Sequence, residues 1–159
     1  MSLYMETTKI SAERTAQEIV CLLAAAGATA VLTEYSRDRK ICGLAFKLDV
    51  GGSQMPFSLP ARIDPVFQRI QKGRAPRNRT KNEPADRLQA ERVAWRQLLR
   101  WIQAQLAMIE TGMVAAQEVF LPYAQGAGGK TLYEALTASG RLCLPGGPVD
   151  AKNRFEVAR

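Results

Sequence analysis

The chain has 159 residues, 47% of them hydrophobic and 23% charged. These are the proportions of one ordinary globular domain with a real core. It has no histidine and three widely separated cysteines, Cys21, Cys42 and Cys143, which excludes Ser-His-Asp and Cys-His catalysis and nearly every zinc site and offers no disulfide framework. The net charge is +7, and all of it lies between Arg62 and Arg100, where 11 Lys/Arg meet 4 Asp/Glu; a local excess of this kind points to a polyanion partner.

In chain order, "SAERTAQEIVCLLAAAGA" reads as a first helix. Ser11 is its N-cap, Ala12, Ala16, Ile19, Leu23 and Ala26 form its apolar face, and Gly27 stops it. "TAVLTEYS" is rich in β-branched and aromatic residues and reads as a strand. "KICGLAFKLDV" is the clearest strand, with Cys42, Leu44, Phe46, Leu48 and Val50 pointing one way. "GGS" turns the chain into a third strand, "QMPFSLP", which Pro56 places at an edge. Asp64-Pro65 opens a short helix that Gly73 ends. The segment 73–85 holds two prolines, strong positive charge and no large apolar residue, so a basic mobile loop is expected there.

A long helix is expected from about Ala85 to Glu110. Leu88, Trp95, Leu98, Leu99, Ile102, Leu106 and Ile109 make its stripe, and Gly112 ends it. "MVAAQEVFLPY" adds a turn or two of helix, and "TLYEALTASG" is a last short helix. The sum is an α+β fold: a three-stranded antiparallel meander with one long helix in the C-terminal half and several shorter helices on one face. Residues 6–136 make a single domain, and 137–159 a loosely packed C-terminal tail. Helix, three strands, helix is also the order of double-stranded-RNA-binding domains, but their phosphate-binding lysine motif at the second helix start is absent.

Gly129-Lys130-Thr131 looks like the end of a phosphate-binding loop. Counting back five from Gly129 reaches Ala124 instead of the glycine the motif requires, and no buried parallel strand precedes it. Thr131 and Glu134 fit a capping box at the start of "LYEAL" better. The candidate binding residues lie upstream. Arg92, Arg96 and Arg100 are four apart and form one helical ridge. Arg74, Arg77, Arg79 and Lys81 lie on the preceding segment and join them as a surface for a phosphate backbone. Trp95 is expected in the core; Trp101 lies one position off the stripe. Glu110, Glu118 and Glu134 have no spacing of a metal site or acid/base pair. No catalytic residue, metal or cofactor is assigned, and a carboxylate-metal nuclease is the least favoured reading.

"TTKISAERTAQEIVCLLAAAGA", "AFKLDVGGSQMPFSLP", "AERVAWRQLLRWIQAQLAMIETGMVAAQEVFLPY" and "GGKTLYEAL" follow one another in the chain. Together they resemble a family of small uncharacterised proteins encoded by phages, prophages and mobile elements. The resemblance covers roughly Glu6 to Leu136 and implies a phage-linked setting, without catalytic residues to carry over. Two functions follow as expectations. The first is a non-enzymatic accessory protein that binds nucleic acid or another polyanion through the basic loop and arginine ridge. The second is a counter-defence protein that blocks a host immune complex such as CRISPR-Cas or holds a nucleotide signal. No stretch approaches the roughly 20 apolar residues of a membrane helix, and the N-terminus lacks a signal-peptide pattern, so a cytoplasmic protein is expected. Open sheet edges and the apolar Val93, Trp101 and Met108 outside the main stripe point to a homo-oligomer, with a dimer as default.

Overall fold

The structure, a computed structural model, describes residues 3–126 and 128–140, and the backbone alone for 77–81. The chain runs α1 (Ala12–Ala25), β1 (Ala30–Tyr35), β2 (Ile41–Val50), β3 (Ser53–Pro60), α2 (Ile63–Lys72), α3 (Pro76–Glu110), α4 (Ala116–Phe120), a 3-10 turn (Leu121–Tyr123) and α5 (Leu132–Ala138). It is an α+β fold whose three strands form an antiparallel meander in the order β1-β2-β3. No helix among the described residues is long and apolar enough to cross a membrane. Of the expected tail, residues 141–159 lie outside the described residues.

Local chemistry sets the boundaries. Ser11 Oγ accepts from the Arg14 amide at 3.2 Å, and Gly27, at φ +93°, supplies the left-handed residue after α1. The β2–β3 hairpin turns on Gly51 and Gly52, both at positive φ (61° and 85°), as a tight turn between twisted strands requires. Gly112, at φ +74°, closes α3. Pro56 lies on the outer edge of β3, where its missing N–H costs no ladder bond and its carbonyl accepts from Gln125 N–H at 2.9 Å.

The core forms between the inner sheet face and two helices. Leu44, Phe46 and Leu48 of β2 and Phe57 and Leu59 of β3 meet Ile19 and Leu23 of α1 and Trp95, Leu99 and Ile102 of α3. Phe120, at the end of α4, closes this core. Its ring centroid lies 5.3 Å from Phe46, 5.8 Å from Phe57 and 5.9 Å from Trp101, separations at which aromatic pairs attract beyond their buried area.

Several expectations change. Ala26, the C-cap of α1, is exposed, and Thr15 in the first turn joins the buried face of the helix. Asp64 does not cap α2; the N-cap is Arg62, without a side-chain bond, and Asp64 accepts from Arg87 Nη1 at 3.2 Å. The loop expected over 73–85 is largely helix, because α3 starts at Pro76. Proline is pre-shaped for a first helical position, where its absent donor costs nothing, and Pro84 removes one further bond that packing on α2 offsets. Leu88 faces outward at 46% exposed, whereas Ala90, Val93 and Ala94 are buried. The reason is that α3 is covered from three sides, by α1, α2 and the sheet, so no single stripe describes it. Val93 is therefore core, and Trp101 packs edge-on against Phe120 and at a tilt against Tyr123; neither is a free apolar patch for a subunit contact.

Candidate polyanion interface

α2 and α3 form a helical hairpin joined by Gly73, Arg74 and Ala75. Two arginines lock it. Arg74 grips Asp86 with both sides of its guanidinium, Nη2 to Oδ1 at 2.6 Å and Nε to Oδ2 at 3.2 Å. Gln71 Nε2 adds a third bond to Oδ2 at 2.9 Å. Asp86 is 1% exposed, so this carboxylate is tolerated in the interior only because donors surround it. The hydrogen bond that Arg74 donates to Asp86, and then the charge of Asp86, raise the Arg74 pKa above the ordinary arginine value. The guanidinium therefore stays charged at any workable pH. Nearer the base of the hairpin, Arg87 lies 4.5 Å over the Phe67 ring and bonds Asp64, which joins a cation–π contact to an ion pair.

The seven expected contact residues are spread along the hairpin turn and α3. Arg74, Arg77, Arg79 and Lys81 lie at the hairpin turn and the first turns of α3; the side chains of the last three lie outside the described residues. At 1.5 Å per residue, Arg92 is about 22 Å and Arg100 about 35 Å along the helix from Arg77. The ridge also runs into the seam with α1. Arg96 is 8% exposed and donates from Nη1 to Glu18 Oε2 at 2.9 Å. Arg92 is half-buried, and the Nε atoms of both are buried with no hydrogen-bond partner among the described groups. Arg100 is exposed and bonds Gln103 Oε1 at 3.0 Å. Arg96 thus fastens α1 to α3, Arg92 is half-buried beside it, and Arg100 stands at the surface.

Sequence reasoning missed Asp86, Glu18 and Phe67, the partners that assign these arginines. Ala90 and Val93, four and seven residues after Asp86, carried the signal for Asp86: they extend a buried helical face on which it lies.

The Gly-Gly-Lys-Thr stretch resolves as a helix start. Thr131 Oγ1 accepts from Glu134 N at 3.2 Å, and Glu134 Oε2 accepts from Thr131 N at 3.0 Å. Before it lies a 3-10 turn and an isolated antiparallel bridge, Gln125 to Thr131, where a nucleotide loop would follow a parallel strand. Thr131→Ala is expected to cost about 1 kcal/mol and to speed hydrogen exchange at the first amides of α5. A rise in melting temperature with magnesium-ATP that Thr131→Ala abolishes would instead restore the nucleotide reading. Among the described residues, no three His, Cys, Asp or Glu side chains gather as metal ligands would. No family model, curated protein or solved structure matches the chain.

Proposed function

We propose that this protein is a non-enzymatic accessory factor that binds nucleic acid or a similar polyanion through the tip of the α2–α3 hairpin. One observation carries the reading. From Arg69 to Lys81 the chain has six basic residues (Arg69, Lys72, Arg74, Arg77, Arg79 and Lys81) and no acidic one, and this run occupies the end of α2, the turn and the start of α3. The Arg74–Asp86 clasp and the Arg87–Phe67 contact stiffen the support beneath it, which lowers the ordering cost of binding. The first amides of α3 emerge at the same tip and add the positive end of a long helix. The phage-linked setting is part of this proposal and rests on the motif resemblance alone.

Fluorescence anisotropy with labelled single-stranded and duplex oligonucleotides over a salt series tests the reading. Binding is expected to weaken with salt along a log–log slope of about −0.9 per phosphate neutralised on duplex DNA. Changing Arg77, Arg79 and Lys81 together to Glu is expected to lower affinity by about 100-fold or more, since three contacts are lost and three repulsions added. Arg100→Glu, far along α3, is expected to change it by less than about threefold. Equal loss from both variants, or no binding at low salt, would sink the proposal.

A further inference from the structure

β1 is the open edge of the sheet. It pairs with β2 on one side, and among the described residues no strand lies on the other. The far edge is guarded: β3 carries Pro56 and Pro60, and the chain at Ala124–Gln125 bridges onto it. β1, with the sequence AVLTEY, has no proline, lysine or arginine. Natural sheets blunt their edges with such residues, and an edge without them is a template for another strand.

The register shows which backbone groups that edge presents. Ala61 N–H donates to Cys42 O at 2.8 Å across β2 and β3. Alternation along antiparallel strands then turns the polar groups of Cys42, Leu44 and Phe46 toward β3 and those of Gly43, Ala45 and Lys47 toward β1. Their partners in β1 are Glu34, Leu32 and Ala30, so the N–H and C=O of Val31 and Thr33 face the open side. Ala30, Leu32 and Glu34 project from the sheet face opposite the helices, where Leu32 is 67% exposed. Glu34 folds inward over Gly43, so closely that a Cβ on Gly43 would lie 2.7 Å from Glu34 Oε2. The one charge on β1 therefore does not screen the edge.

We propose that a second copy of this chain pairs antiparallel with β1 about a two-fold axis at Leu32, joining the two sheets into one of six strands. Charge complementarity selects this register. With Leu32 opposite the partner's Leu32, Glu34 lies opposite the partner's Ala30, and the next strand beyond presents the partner's Lys47. Lys47 is exposed and directly cross-strand from Ala30, so a Glu34 turned outward reaches it over a side chain too small to intervene. Symmetry makes two such pairs flanking the leucines, and Val31 exchanges backbone bonds with the partner's Thr33. Moving the axis one residue, to Thr33, sets Glu34 against the partner's Leu32, and moving it to Glu34 sets Glu34 against itself, which is repulsive.

Sedimentation equilibrium with a charge-reversal series tests the proposal. The wild type is expected to reach about 35 kDa, twice the 17.5 kDa chain. Leu32→Lys opposes two cations at the axis and is expected to give a folded monomer whose melting temperature no longer rises with protein concentration, because Leu32 lies outside the core. Glu34→Lys and Lys47→Glu are each expected to weaken the dimer by about tenfold, and the double variant to return to within about threefold of wild type. That rescue does not depend on how Leu32→Lys folds. A wild type that stays monomeric at the highest concentration it tolerates, a dimer indifferent to Leu32→Lys, or a double variant no tighter than the singles would overturn the proposal.

Discussion

Arg74→Ala is expected to destabilise the protein, with a clear drop in its urea midpoint, although Arg74 lies at the surface. The cost arises at its partner. Asp86 is 1% exposed and, among the described residues, receives two side-chain hydrogen bonds from Arg74 and one from Gln71. Removing the guanidinium leaves a buried carboxylate with Gln71 as its donor among the described side chains, and an uncompensated buried charge is among the most destabilising defects a domain carries. The drop is smaller than for a fully buried pair because the Arg74 side chain is 47% exposed, so water already shares in solvating the pair. Asp86→Ala removes the buried charge itself, and the double variant is expected to be much less destabilised than the sum of the singles. Urea unfolding of the four proteins measures the coupling. A cost below about 0.5 kcal/mol for Arg74→Ala would make the pair an ordinary screened surface contact. The same reasoning excludes Arg74 from any charge-removal test of polyanion binding, since its loss weakens the hairpin that holds the other cations.

Phe120→Ala is expected to cost about 4 kcal/mol, within the range for emptying a buried aromatic site. Phe120 is fully buried and touches Phe46, Phe57 and Trp101. It belongs to a helix of only five residues, α4, far too short to persist without tertiary packing. The ring therefore holds the segment from Gly112 to Tyr123 onto the sheet, and its removal is expected to raise proteolytic cleavage there as well as lower the urea midpoint. Phe120→Leu, which keeps most of the apolar volume, is expected to recover more than half of the loss. A melting temperature for Phe120→Ala within a degree or two of wild type would contradict this placement.

Elements fixed by local chemistry were legible before the structure. The alternation in β2, the Gly51-Gly52 turn, the Ser11 cap, the Thr131/Glu134 capping box and the stop at Gly112 each follow from one or two residues whose conformational preference or hydrogen bond is satisfied within a few positions. Together with hydrophobic periodicity they yield the α+β class and the order of its strands. The absence of histidine, the +7 charge and its confinement to Arg62–Arg100 also belong to this level.

The fate of each charge did not. Arg74, Arg92, Arg96 and Arg100 are alike in composition and spacing, yet one clasps a buried aspartate, one holds a glutamate 78 residues earlier, one is half-buried and one stands at the surface. Which of these applies depends on the elements that close over α3, and such long-range contacts leave no periodic trace near the arginine itself. The helical start at Pro76 is of the same kind: two prolines and no large apolar residue argue locally for a loop, and only packing against α2 outweighs them. The sequence thus locates the basic segment, and the tertiary structure shows that two of its described cations, Arg74 and Arg96, hold the hairpin and the α1 seam together.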